Sequence, residues 1–301
     1  MRAPLVVMSL VGSLAQPVPP SGQPSTTDAP IFSIFETARA VQPGEVVRLD
    51  IRSNRPVTSL TVQAFDRSVP VARAGPSAWF ALIGIDLDVA AGEYPVTVGA
   101  TKDNGVRTDH VSSLTVEPKD FPTRQLRVAP KFVNPPPSMQ HRIDRERRQL
   151  GVLFRAVGPE PRWTGAFVRP IEVGVVSGFG VRSVYNGEAR APHNGADFAS
   201  PTGTPVLAPG GGRVVLAEPL YFTGRTVMID HGLGLVSLLA HLSRIDVSVG
   251  DEIAGGVRVG LVGATGRATG PHLHWTVRLQ GARVDPLSVI AALEGAGTKR
   301  N

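Results

Sequence analysis

The chain is expected to be mainly β: an N-terminal β-sandwich, a linker with one short helix, and a C-terminal antiparallel β-sheet domain. Three observations lead there. Glycine (33) and proline (27) are abundant, which favours many turns and short strands over long helices. Apolar residues alternate with polar ones in short runs bounded by turn residues. No stretch repeats the strand–helix alternation that builds a parallel doubly wound sheet. At 301 residues there is room for two cores.

Taken in order, Arg2 precedes an apolar run from Ala3 to Leu14, and Ser13-Leu14-Ala15 comes just before Gln16. Residues 1–15 therefore read as a short secretory signal with a small-residue cleavage site, the other reading being a frayed apolar terminus. Export is expected, to the periplasm or to the outside of the cell at its envelope. The run is too short for a bilayer, so no stable membrane span is expected. Residues 16–30, rich in Pro, Ser and Thr, read as a flexible linker. Residues 31–117 hold alternating runs at Val46–Ile51, Val57–Phe65, Tyr94–Val98 and Val111–Val116, the spacing of a small immunoglobulin-like β-sandwich.

Residues 118–162 form the next linker, with a charged helix expected over 138–150. Ser138 is placed at its N-cap, and Met139, Ile143 and Leu150 make a narrow apolar stripe. The helix is either a basic patch for an anionic polymer or a solvated connector packed by one edge. Residues 163–290 are again β-rich, with strand candidates that include Gly212–Ala217, Thr226–Asp230, Leu235–Ala240, Val257–Val262 and His272–Leu279. Pro209-Gly210-Gly211-Gly212 reads as a hairpin turn, since it lacks the Lys-Ser/Thr of a phosphate loop. Residues 291–301 are left as a tail.

Without cysteine there are no disulfides, and a metal site has to be built from His and carboxylates. A net charge of +6 suits an anionic partner such as cell-wall polymer, acidic lipid or nucleic acid. Nucleic acid has only the charge behind it and is not expected as a partner.

The chemistry gathers in the C-terminal region, which holds five of the seven histidines. In His272-Leu273-His274 the period-2 geometry of a strand puts both imidazoles on one face. His193-Asn194-Gly195-Ala196-Asp197 sets an imidazole and a carboxylate four apart, with a flexible Gly between them, either as an ion pair or as two metal ligands. Zinc takes neutral imidazole and carboxylate, and a catalytic site uses three protein ligands and leaves a position open. His193, Asp197 and one histidine of the later pair would make such a set. His231 reads as structural, His110 as a surface residue, and His141 as part of the charged helix. His241 sits at the end of an apolar run.

Four pieces in order carry a resemblance. They are Ser177-Gly178-Phe179-Gly180-Val181-Arg182, His193-Asn194-Gly195-Ala196-Asp197, His231-Gly232-Leu233-Gly234 leading to Ala240-His241-Leu242-Ser243, and Thr269-Gly270-Pro271-His272-Leu273-His274. Together they resemble the lysostaphin/LytM-type zinc metallopeptidases, which hydrolyse peptidoglycan, over roughly Arg169 to Pro286. The resemblance implies one zinc ion held by His193, Asp197 and His274. It implies that His241 and His272 orient water and stabilise the tetrahedral intermediate. The expected function is an exported metalloendopeptidase acting on the stem or cross-bridge peptides of peptidoglycan. The alternative is a non-catalytic wall-binding or hydrolase-regulating module on the same fold. A monomer is expected, with the N-terminal domain open to a regulatory protein. Two departures from the family pattern, Leu239 for tyrosine and Trp275 for phenylalanine, are expected to lie next to the site and shift substrate preference.

Overall fold

The computed structural model describes residues 5–7, 32–126, 135–185, 188–189 and 191–294. Its first part is two antiparallel sheets. One has the order β1 (Leu5–Val7), β2 (Phe32–Ala38), β3 (Val46–Ser53), β7 (Ala78–Gly84), β6 (Val71–Gly75). The other runs β5 (Arg67–Val69), β4 (Val57–Ala64), β8 (Gly92–Lys102), β9 (Arg107–Val116). Inward residues of both sheets, among them Leu49, Ile51, Val62, Val98 and Leu114, form one core, as the alternating runs predict. β1 falls inside the segment read as a secretory signal, where it pairs onto the edge of β2. Residues 16–30, read as a flexible linker, lie outside the described residues.

Three elements follow: β10 (Thr123–Leu126), a 3-10 turn at Pro137–Met139, and α1 (Gln140–Leu153). Ser138 lies inside the 3-10 turn rather than at a cap, and Met139 precedes the helix without a side-chain cap bond. The prolines before Ser138 favour a tight turn that satisfies the first N–H groups by itself. The helix is also more than a solvated connector. Leu150, Leu153 and Phe154 pack over a buried cluster of Leu216, Leu220, Met228, Val236, Leu238 and Ala240.

That cluster belongs to the large C-terminal sheet. Its strands are β13 (Gly195–Ala199), β15 (Gly212–Leu220), β16 (Gly224–Asp230), β17 (Leu235–Leu242), β19 (Glu252–Ile253), β21 (His272–Leu279) and β22 (Ala282–Val284). Their order is β13-β21-β17-β16-β15-β19, with β22 on β21, and every pairing is antiparallel. Every residue of β17 is buried, because both faces of this central strand are covered. On the face opposite α1 lie Leu239, Leu273, Trp275, Val277 and Leu279. They pack with residues of a small sheet of β14 (Pro205–Leu207), β20 (Arg258–Leu261) and β18 (Arg244–Ile245). Pro209–Gly211 thus carries the chain from one sheet to another and is not a hairpin turn.

Two further findings depart from the expected organisation. A second helix, α2 (Pro286–Glu294), runs through position 290, where the domain was expected to give way to a tail. Val289, Ala292 and Leu293 on it are buried in the C-terminal core, and Pro286 begins it where the missing N–H costs nothing. Second, the two units share packing. Val46, Phe80 and Leu82 join the core of Val284 and Val289. The Val46 N–H donates to Ser288 Oγ (2.8 Å), and the Asp285 N–H to the Gly44 carbonyl (2.7 Å). Buried Glu45 accepts from Arg39 (2.7 Å) and Lys119 (2.8 Å), while Arg39 also reaches Asp285 (2.6 Å). Arg283 pairs with Asp86 and Asp88. Among the described residues no helix is long and apolar enough to cross a membrane.

Candidate metal centre

β13 and β21 build the centre between them. The register sets Asp197 opposite His274 and Ala199 opposite His272, and on the other side Ala240 of β17 stands opposite His274. Paired residues share a face, so Asp197, His272, His274 and Thr276 rise from the face that α1 covers further along. His193 reaches the same point from the loop just before β13. Gly195 is needed for that approach. A Cβ there would strike the Trp275 carbonyl and come within 2.9 Å of His274 Cε1. Its role is close backbone contact inside a strand, not the flexibility read from the sequence.

The geometry of the donors is specific. Asp197 Oδ1 lies 3.1 Å from His193 Nε2 and 2.8 Å from His274 Nδ1, and the two nitrogens are 3.0 Å apart. His193 donates its other nitrogen, Nδ1–H, to the Gly178 carbonyl (2.8 Å), so Nε2 carries a lone pair. The Thr276 hydroxyl donates to Asn194 Oδ1 (3.3 Å) and accepts from His274 Nε2–H (2.8 Å). His274 Nδ1 therefore also presents a lone pair. Two lone pairs and a carboxylate oxygen converge on one point, an arrangement that repels itself unless a cation sits there. Tetrahedral ligands at zinc distances are about 3.3 Å apart, so these atoms need to spread by only a few tenths of an ångström. Outer hydrogen bonds that fix each imidazole are the usual support of such a site. The residues fit zinc.

A proton can stand in for the cation. Burial would raise the Asp197 carboxyl, but the hydrogen bonds it accepts from His193 and His274, once a proton sits on a nitrogen that faces it, hold it far below the usual carboxylate range. Burial lowers His193, and the hydrogen bond and charge of Asp197 outweigh it, so the net shift is upward. His274 is lowered, first by burial. His241 is pushed down to about 3, by burial and then by the charges of His274 and His272.

His241 and His272 stand beside the three donors. Their ring centroids are 4.7 Å apart, and His241 is 5.9 Å from His274. The Nδ1–H of His241 donates to the Thr265 carbonyl and that of His272 to the Gly270 carbonyl, both at 2.8 Å. His272 Nε2 faces Asp197 Oδ1 at 3.9 Å, beyond hydrogen-bond reach. His241 adopts a left-handed backbone (φ +64), which turns it out of the regular alternation of β17 beside Ala240.

The chain matches the model of peptidase family M23 over residues 191–286. A solved structure from Pseudomonas aeruginosa assigned to peptidase M23 is 33% identical, with 84% of this chain and 96% of that one covered and a TM-score of 0.65. The chain belongs to peptidase family M23. Among curated relatives, the peptidoglycan DD-endopeptidase ShyA of Vibrio cholerae serotype O1 is 45% identical over 97 residues, 32% of this chain and 23% of that protein. The DD-carboxypeptidase/endopeptidase Mpg of Neisseria meningitidis serogroup B is 44% identical over 97 residues, 32% of this chain and 22% of that protein. The matched segment spans less than a quarter of the length of these relatives.

Other sequence readings fare differently within the M23 fold. Leu239 and Trp275 are fully buried and paired with each other across β17 and β21, on the face away from the metal centre. Their departure from the family pattern is a matter of core packing, with Trp275 Nε1 donating to Ser237 Oγ at 3.1 Å. Asn194, Thr276 and the Gly178 carbonyl were not singled out, although Thr276 stands two residues from His274 on the same strand face. His110 packs edge-on to Phe32 (6.0 Å), and His141 is exposed on α1.

His231 is buried and structural, its Nδ1–H donating to the Gly211 carbonyl (2.7 Å) and its Nε2 accepting from Ser237 Oγ (2.9 Å). Burial lowers its pKa to about 4. The unfolded chain, with an ordinary imidazole near 6.5, then binds more protons between pH 6.5 and 4. The stability held above pH 6.5 is expected to fall by up to about 3 kcal/mol across that window. Denaturant melts at pH 7 and pH 5 check this. His231→Gln should be less stable at pH 7 and flatter with pH, and an unchanged slope would contradict the assignment.

Proposed function

We propose that the chain is a zinc metallopeptidase that hydrolyses peptide bonds in the stem or cross-bridge peptides of peptidoglycan, at the cell envelope after export. The observation that carries this reading is the convergence of three lone-pair donors from His193, Asp197 and His274 beside a second histidine pair. Relatives named for peptidoglycan endopeptidase activity support the substrate class. When bound, zinc supplies Lewis-acid polarisation of the scissile carbonyl and activates water near neutral pH.

The histidine pair handles protons. With both Nδ1–H groups committed to carbonyls, each neutral ring offers a Nε2 lone pair. Neither can donate to a developing oxyanion in that state. One of them takes the proton of the attacking water as general base. The resulting imidazolium then donates to the oxygen gaining charge, or delivers the proton to the leaving amine. Burial keeps His241 neutral beforehand, so it orients water as an acceptor. Thr276 and Asn194 hold the His274 tautomer, and Gly178 that of His193.

The test uses the full chain and isolated wall. Zinc-loaded protein is expected to release soluble peptides, to stop on chelation, and to recover when zinc is restored. Release that persists in excess chelator would reject the reading.

A further inference from the structure

The connector between the two units approaches the metal centre through a strand as well as through α1. β10 lies parallel to β11 (Arg182–Tyr185), with Arg124 opposite Ser183, and the Arg182 N–H donates to the Pro122 carbonyl (2.9 Å). Just before it, the Val181 carbonyl accepts the N–H of His193 (2.8 Å), and the Gly180 N–H donates to the His193 carbonyl (2.7 Å). A continuous ladder of backbone hydrogen bonds thus joins β10 to a metal ligand.

The start of β10 is pinned. Phe121 packs edge-on to Phe179 at 6.4 Å, and its ring fills the space that a Cβ at Gly180 (φ +80) would need. The placement of Arg124 on a strand whose neighbour, through Gly180 and Val181, is bonded to His193 is therefore built into the fold. Its side chain is exposed, and among the described residues it has no ion pair or hydrogen bond. Lys119, by contrast, is already committed to Glu45. Arg182 is exposed too, but it stands opposite Thr123 and so projects to the other face of the strand pair.

We infer that Arg124 is a specificity residue that holds a free carboxylate of the substrate peptide beside the metal centre. The inference rests on the peptidase reading for the identity of its substrate. A guanidinium matches a carboxylate with two parallel hydrogen bonds, which gives direction as well as attraction. An anionic peptide is thereby set in one orientation along the β10–β11 wall, with an amide presented to the histidine pair. The contact binds and orients, and takes no part in bond making.

Calorimetry on the full chain in chelator tests this, since no turnover occurs and no ion competes for the carboxylate. The ligands are two synthetic wall-type peptides, identical except that one carries a free carboxylate and the other a carboxamide. Wild type is expected to prefer the carboxylate about five- to tenfold, the scale of one exposed charge-assisted contact. Arg124→Ala should abolish the preference by weakening only the carboxylate peptide, Arg124→Lys should keep part of it, and Arg182→Ala all of it. Equal binding of the two peptides by wild type, or an undiminished preference in Arg124→Ala, would overturn the inference. Cleavage of either peptide by zinc-loaded wild type is read separately. A chain that discriminates but cleaves neither retains the carboxylate contact and loses the peptidase reading.

Discussion

Replacing Asp197 or His274 with alanine is expected to remove bound zinc and to bring wall-peptide hydrolysis down to background, while the chain stays folded. Asp197 Oδ1 touches both ligand nitrogens, at 3.1 and 2.8 Å. Without it, two imidazole lone pairs face each other with no neutralising charge, and a divalent cation loses its anionic ligand. Without His274 the site keeps two ligands, one fewer than a catalytic zinc requires. Both side chains are polar groups at the Ala240 end of the face and are not part of the apolar cluster under α1, so global unfolding should shift little. A graded variant sharpens this. Thr276→Val cuts the hydrogen bond that fixes the His274 tautomer and should weaken zinc affinity about 10- to 100-fold. Metal analysis after dialysis, with calorimetric titration, reads both effects. Full zinc occupancy in Asp197→Ala would contradict the ligand set.

The second large effect separates proton handling from metal binding. His272→Ala should retain about one zinc per chain, because His272 Nε2 is 3.9 Å from Asp197 and bonds to none of the three donors. Its turnover should fall by about 10²- to 10⁴-fold, the contribution typical of a positioned general acid or base. kcat and kcat/KM should fall together, since the lost interaction acts only as the proton moves. His241→Ala should behave alike, and the double variant should lose less than the product of the two. A His272→Ala enzyme of undiminished kcat would assign the proton work elsewhere.

Much of the centre is legible in the sequence because it is built from short-range geometry. His272-x-His274 on a strand fixes a shared face, and His193-x-x-x-Asp197 brings a loop imidazole over the first residues of the next strand. The same alternation, applied to Trp275 and Leu239, places them on the opposite face. Expecting them beside the site treats neighbours in sequence as neighbours in space. The hydrogen bonds to Gly178 and Thr276 depend on which nitrogen each imidazole offers, and sequence carries no trace of that. The long-range contacts are equally silent. Arg39 and Asp285 are 246 positions apart, and Gly84 abuts Val284 and Ala282 only because two separately patterned units share packing. The second helix is hidden because Val289-Ile290-Ala291-Ala292-Leu293 is a continuous apolar run, which periodicity alone does not assign. The connector reads as a linker with one charged helix, and that helix forms, but its packing over β17 and the strand beside His193 are not visible in the sequence.

The most direct measurement is mass spectrometry of the soluble products released from isolated sacculi by zinc-loaded wild type, with His272→Ala as control. Peptides bearing a new free amine and a new carboxylate at a former amide bond, present with wild type and depleted at least about 100-fold with His272→Ala, are the expected result. Products cut in the glycan strand, or peptide products equal in the two reactions, would contradict metal-assisted hydrolysis by this centre.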